Sequence, residues 1–282
     1  MSDMAKASPV RTEGWRGLWR HSYHLGVRWV VRAAPRWRAA RVGLLRLLVP
    51  MDPWRYYELG RVADQAFAGP CLDVSSPKLL ASWLQREGRG DWTAIDLFSA
   101  EIKAWREVDP DLRLEVCDAT AMPFPDASFD HCVCISVIEH IPDEGDSRAM
   151  AEMWRVLSPG GVLELTTEIS HRGGDRYVDE RLYGDASHED GGRVFFGRRY
   201  TEQALSERLL RDPWEIIERE YARWRDPRLE DRFYRHAPWS YMYGGLLRFR
   251  APGNVEGGES MAILGEDEPG AVYLRLRKPA AT

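Results

Sequence analysis

The chain has 282 residues, 44% of them hydrophobic and 29% charged, which fits one large domain with additions or one domain plus a small lid. A net charge of −5 gives no general reason to expect nucleic acid as a partner. The four cysteines, Cys71, Cys117, Cys132 and Cys134, lie in apolar runs without zinc-site spacing and read as buried, reduced thiols of a cytoplasmic protein.

The charge is unevenly placed. Residues 1–56 hold eleven Lys and Arg against three Asp and Glu, a net of +8 in front of a body of −13. This segment is predicted to be a basic helical arm, 1–56, ahead of a domain covering 57–282. Its apolar residues need burial, which favours an arm folded back on the body; a membrane-surface or polyanion contact is the other reading. The run Val27–Val49 is broken by Arg28, Arg32, Pro35, Arg36, Arg38, Arg41 and Arg46 and does not read as a membrane span.

Residues 1–13 are expected to lack regular structure. Two helices are predicted between Gly14 and Val49, divided at Pro35, with Trp37, Ala40, Leu44, Leu45 and Leu48 on one face of the second. A short helix follows over 55–68, closed by Gly69-Pro70. Strands and helices then alternate. Strands are predicted at Cys71–Ser75, Thr93–Asp96, Leu112–Cys117, Phe129–Ile135 and Val162–Thr167. Helices are predicted at Pro77–Glu87, capped by Ser76, at Ala100–Val108 and at Gly145–Leu157. Beyond them lie a polar connection over 170–199, a helix at Thr201–Leu210, and strands at Trp214–Trp224 and Ala271–Lys278. Residues 225–268 are an aromatic-rich insertion.

Alternating elements of this length imply an α/β fold: a doubly wound, mostly parallel sheet whose ligands bind beyond the carboxyl ends of the strands. Three acids sit at three successive strand ends: Asp73, Asp96 and Asp118. A carboxylate after the second strand suits a ribose diol, and one after the third can accept from an adenine amino group; each taken singly also suits a helix cap.

The run Asp118-Ala119-Thr120-Ala121-Met122-Pro123-Phe124-Pro125-Asp126-Ala127-Ser128-Phe129-Asp130 resembles the class I S-adenosylmethionine (SAM) methyltransferase family. Ser136-Val137-Ile138-Glu139-His140-Ile141-Pro142-Asp143 and the stretch from Met153 to Leu163 are similar to it too. The resemblance covers about residues 70–168, reaching loosely to 224. It implies a Rossmann-like seven-stranded sheet with an antiparallel last strand, and SAM as cofactor. It also implies Asp96, followed by Leu97, at the ribose, Asp118 and Ala119 at the adenine, and Ile135 and Ser136 near the methionine part.

The first motif departs from the family. Acidic-x-Gly-x-Gly-x-Gly is replaced by Asp73-Val74-Ser75-Ser76-Pro77-Lys78-Leu79, with no glycine. Either SAM still binds, with Ser75 and Ser76 lining the turn and Lys78 or the helix terminus meeting the methionine carboxylate, or the site has lost the cofactor.

His140 follows the fourth strand and is the candidate general base; a packing role is the alternative. Glu139 can orient it, contact cofactor or cap the helix. No metal is predicted: Ser136 stands where similar ubiquinone-pathway enzymes carry an acid, Asp143, Glu144 and Asp146 suit a helix start, and His188-Glu189-Asp190 reads as a solvated loop. The insertion 225–268 and the Trp-rich arm are candidate roofs over a small-molecule or glycan-precursor substrate. The function expected is methyl transfer, with oxygen favoured as acceptor. The rival readings are a non-methylating member of the fold and a non-catalytic subunit held at a membrane by the arm.

Overall fold

The computed structural model describes residues 7–33, 44, 47–179, 189–190, 193–235 and 239–280. The second predicted helix of the arm, with Trp37, Ala40 and Leu45, falls outside them except for Leu44, Leu47, Leu48 and Val49. His188 and His236 also lie outside.

The strands are β1 (Ser8–Pro9), β2 (Pro70–Val74), β3 (Asp91–Asp96), β4 (Arg113–Val116), β5 (Phe129–Ile135), β6 (Leu157–Ile169), β7 (Gly174–Val178), β8 (Glu189–Asp190), β9 (Arg193–Arg199), β10 (Glu215–Trp224), β11 (Val255–Gly258) and β12 (Gly270–Arg277). The helices are α1 (Trp15–Ala33), α2 (Arg55–Ala63), α3 (Leu79–Arg86), α4 (Ser99–Val108), α5 (Gly145–Val156), α6 (Glu202–Arg208) and α7 (Arg228–Arg235). A 3-10 turn covers Ile138–His140 and a longer 3-10 helix covers Trp239–Phe249.

The main sheet runs β1-β11-β10-β12-β6-β5-β2-β3-β4. Strands β2 to β6 pair in parallel, and β12 lies antiparallel between β6 and β10. The chain leaves β2 toward β3 and β4, then returns to lay β5 and β6 on its other side. The β2–β5 boundary is therefore the topological switch point, beside which ligands of such sheets bind.

The centre of the sheet is buried on both faces, so its strands read as continuous apolar runs. Alternate residues serve opposite layers. Cys71, Ala94, Val133 and Ile135 join the core under α1 to α4, with Trp92, Trp105 and Tyr56. Leu72, Ile95, Cys132 and Cys134 join the core under α5 and α6, with Met150, Met153 and Leu205. The arm helix α1 is part of the first layer. Trp29 meets Trp105 edge-on at 5.9 Å, and the His21 ring bonds the Ser82 hydroxyl at 2.7 Å. Any Cβ at Gly17 would overlap the Trp83 indole, so glycine sets the approach of α1 to α3.

Several expectations need correction. The sheet has nine strands rather than seven, because β11 extends it past β10 and Ser8–Pro9 pairs with β11. The first thirteen residues therefore include a strand. The connection 170–199 is not irregular: β7, β9 and β8 make a separate antiparallel sheet. Its polar residues misled the reading because a hairpin against one edge of a domain alternates polar and apolar groups only weakly. Helix α3 begins at Leu79 rather than Pro77, and Ser76 does not cap it. No helix among the described residues is long and apolar enough to cross a membrane.

The small sheet is fastened by charge. Asp146, fully buried at the start of α5, accepts from Arg198 Nη1 at 2.6 Å, Tyr200 Oη at 2.9 Å and Arg208 Nε at 2.8 Å. The neighbouring acid Glu144 binds Arg208 and Arg211. These acids face arginines of β9 and α6. Replacing Asp146 by Ala leaves Arg198 with Asp175 as its carboxylate partner, at 2.6 Å, and is expected to cost about 3 kcal/mol, the low end of the range for breaking one side of a buried pair. Urea unfolding checks it; an unchanged midpoint would show that the network contributes nothing.

Candidate active site

The carboxyl ends of β2, β3, β4 and β5 converge beside the switch point, and each delivers sequence-predicted residues there. After β2 the backbone turns at Ser75, whose φ of 55° is the left-handed value that glycine serves in the family motif. Ser75 N donates to Ile95 O at 3.1 Å. Ser76 ties the same turn to β5: its hydroxyl accepts from Ile135 N at 2.8 Å. That engagement is why it is not a helix cap.

Asp73 is fully buried. Its Oδ1 accepts from Ser76 N at 2.9 Å, whereas its Oδ2 is buried with no hydrogen-bond partner among the described residues. Burial pushes its carboxyl up to about 7, against the pull of Lys78. Lys78 is itself 2% exposed, and its ammonium is ion-paired with Asp96 Oδ2 and donates to Ser76 O at 3.1 Å. The remaining Asp96 oxygen accepts from Phe98 N at 3.0 Å. The lysine expected to face a ligand carboxylate is thus folded inward onto the expected ribose acid, and both oxygens of that acid are engaged.

Leu97 is half-exposed beside Asp96. Asp118 is exposed at the end of β4, its Oδ1 accepting from Thr120 N and Thr120 Oγ1, both at 2.8 Å; Ala119 is buried next to it. Since Asp96 registers with Val116, the two acids end adjacent strands.

Ile135 is fully buried, and Ser136 takes a φ of 51°. The Ser136 hydroxyl donates to Glu58 Oε1, which also accepts from Thr166 Oγ1 at 3.2 Å, while Arg55 Nη1 donates to Glu58 Oε2 at 2.7 Å. Glu58 is a site residue that the sequence reading missed. It enters from α2, and its one signal was an acid set among Tyr56, Tyr57, Leu59 and Val62 on a helix that buries almost every side chain.

Glu139 lies under this cluster, 1% exposed, accepting from Thr167 Oγ1 at 3.0 Å; burial pushes its carboxyl up to about 8. His140 Nδ1 is 2.6 Å from Phe196 O. A carbonyl only accepts, so Nδ1 carries the proton and Nε2 keeps its lone pair. Burial lowers the His140 pKa, which favours the neutral ring. The small sheet positions this ring: a Cβ on Gly197 would come within 3.1 Å of Nδ1.

Residues 72–165 match the family described as a methyltransferase domain. That stretch is a methyltransferase domain. Among curated relatives, a demethylmenaquinone methyltransferase of Deinococcus radiodurans is 46% identical over 54 residues, 19% of this chain and 22% of that one. A ubiquinone/menaquinone biosynthesis C-methyltransferase of Bordetella avium is 32% identical over 124 residues, 42% and 47% of the two chains. The chain thus spans less than half the length of either relative. A solved SAM-dependent methyltransferase from Methanosarcina mazei has 19% identity, covering 77% of this chain and 95% of that one, with a TM-score of 0.48.

The cofactor of such a methyltransferase domain is SAM, and the donor set here can be tested against it. Asp73 Oδ2 is a buried acceptor lacking a donor, which an ammonium satisfies. Asp118 is exposed at its strand end, where an adenine amino group can reach it. Asp96 has the two oxygens a ribose diol needs, provided that Lys78 leaves. The residues fit SAM on that condition.

The raised carboxyls have a consequence for stability. The fold keeps Glu139 protonated up to about pH 8, from an ordinary value of 4.5, so unfolding between these values releases a proton and stability falls as pH rises through that window. Glu139→Gln keeps an acceptor for Thr167 and removes the titration. From about pH 5 upward the variant is expected to lose less stability than the wild type in urea melts, the difference growing steadily and levelling off above about pH 8. Parallel curves for the two proteins would contradict a buried, neutral Glu139.

Proposed function

We propose that this chain binds SAM across the carboxyl ends of β2 to β5 and transfers its methyl group to a small-molecule acceptor. The observation that carries this reading is the placement of Asp73, Asp96 and Asp118 at the ends of three adjacent parallel strands within a methyltransferase domain. Asp96 is assigned to the ribose hydroxyls, with Leu97 against the nucleoside. Asp118 and Ala119 take the adenine, and Ile135 and Ser136 flank the methionine chain. Asp73, with the backbone at Ser75 and Ser76, takes the ammonium. Lys78 changes partners: its ammonium gives up Asp96 and pairs with the carboxylate of the cofactor, so one buried cation is neutralised in both states.

When bound, SAM supplies a methyl group already activated on a sulfonium. The work left to the protein is alignment, exclusion of water and removal of an acceptor proton. His140 is assigned the last role. Its Nδ1–H is fixed on Phe196 O, its ring is held neutral, and Nε2 is the basic atom. The relatives' names include a C-methyltransferase, while oxygen is the acceptor the sequence favours. A phenol unites them, because loss of its proton raises nucleophilicity at the oxygen and at the ring carbons beside it. The insertion 225–268 is assigned to the acceptor side: its turn Ala251–Gly253 packs on α2, which carries Glu58.

One observation favours a second reading. If the Lys78–Asp96 pair never opens, the ammonium permanently replaces the ribose and the domain is a scaffold without methyl transfer.

Calorimetry with S-adenosylhomocysteine and adenosine separates the two. The wild type is expected to bind S-adenosylhomocysteine. Asp96→Asn should weaken it by about 1.5–3 kcal/mol, the range for hydrogen bonds to a charged group. Lys78→Ala removes a competitor from Asp96 and a partner from the carboxylate. It should therefore tighten adenosine, which has no carboxylate, and narrow the affinity gap between the two ligands. Failure of the wild type to bind either ligand, with adenosine binding gained in Lys78→Ala, would select the scaffold reading, and failure of both proteins to bind would contradict the proposal outright.

A further inference from the structure

The face formed by α1 and the 3-10 helix Trp239–Phe249 has a composition that water does not favour. Exposed helix faces in water are normally polar. Here Tyr23, Val27 and Val31, spaced i, i+4 and i+8 along α1, are 43%, 42% and 70% exposed. In the 3-10 helix, residues three apart share a ridge. One ridge, Tyr241, Gly244 and Leu247, faces the body, and Leu247 is buried. The other two ridges present Trp239, Met242, Leu246 and Phe249, each more than 60% exposed.

The two elements make one continuous surface. Trp19 stacks on Tyr23 at 5.9 Å, and the Arg248 guanidinium lies 4.6 Å from the Trp19 ring and 4.7 Å from the Phe249 ring. Exposed Tyr23 and exposed Phe249 are thus joined through Trp19 and Arg248.

The charge of this face decides its partner. Helix α1 has four arginines and no acid. Residues 228–250 add five arginines against two acids. The rest of the chain carries the opposite net sign, so the two segments that bear the exposed apolar ridges are also its basic segments. A second copy docking on this face would bring two arginine-rich patches together, which their repulsion opposes. A bilayer with anionic headgroups suits both features. Its phosphates meet the arginines, and aromatic and aliphatic side chains enter the adjoining acyl boundary.

We infer that α1 and the 3-10 helix Trp239–Phe249 form a docking face for an anionic lipid surface. The protein lies on the bilayer through ridges that project from the fold and does not span it. Binding needs neither cofactor nor methyl acceptor, so the inference stands or falls separately from methyl transfer.

Vesicle co-sedimentation of the full chain tests it, with phosphatidylcholine vesicles and with mixed phosphatidylcholine–phosphatidylglycerol vesicles. The wild type should sediment with the mixed vesicles, weakly with phosphatidylcholine, and less as salt is raised. Replacing Trp239, Met242, Leu246 and Phe249 together by Ser should lower partitioning about tenfold or more. These side chains face outward, and circular dichroism checks that the fold persists. As an independent variant, Arg20→Glu with Arg232→Glu changes only exposed charges and should abolish the preference for mixed vesicles. Absence of wild-type binding to mixed vesicles, or undiminished binding by both variants, overturns the inference. A wild-type dimer in sedimentation velocity that the serine variant dissociates would also overturn it, by assigning the face to a second copy.

Discussion

The carboxyl edge of the sheet is organised by the cost of keeping acids away from water. Asp73, Asp96, Glu58 and Glu139 are all buried there, and a buried ionised carboxylate without partners costs several kcal/mol. Each is answered differently. Asp96 has the Lys78 ammonium and a backbone N–H. Glu58 has Arg55, Ser136 and Thr166. Asp73 and Glu139 have fewer donors, and burial pushes both carboxyls up instead. Asp73 keeps one oxygen unpartnered at the turn where the methyltransferase motif approaches its ligand.

This constraint connects the fold to the proposed chemistry. Helix α2 brings Glu58 and Arg55 over the ends of β5 and β6, where Glu58 binds Ser136 and Thr166. The small sheet β7-β9-β8 closes the same region from the other direction. It is clamped to α5 through Asp146 and fixes His140 through Phe196 O. Elements added to the common domain therefore shape both walls of the site. They hold the His140 ring, whose pKa burial lowers, next to the Glu139 carboxyl, whose pKa burial raises.

Much of the fold was legible because the signals were local. The apolar runs of β2, β3 and β5 have no helical period and are bounded by turn residues. The helix predicted at Thr201–Leu210 is found at Glu202–Arg208, with Thr201 as its cap, accepting from Ala204 N at 3.0 Å. The strand-end acids were legible for the same reason, since each follows a recognisable strand. What depended on contacts between distant residues was not. Pairing of Ser8–Pro9 with β11 joins segments about 250 residues apart and leaves no periodic mark. Glu58 reaches Ser136 across 78 positions. Lys78 or the helix terminus was expected to meet a ligand carboxylate, from its place after the first strand. The anion it finds is Asp96, brought beside it by the β2–β3 pairing.

A crystal structure of the chain with S-adenosylhomocysteine tests the central claim most directly, because it records the partner of Lys78 and of Asp96 together. The predicted result is a ribose diol hydrogen-bonded to Asp96, with the Lys78 ammonium moved to the ligand carboxylate and an ammonium on Asp73. A ligand bound elsewhere while Lys78 stays on Asp96 would contradict it.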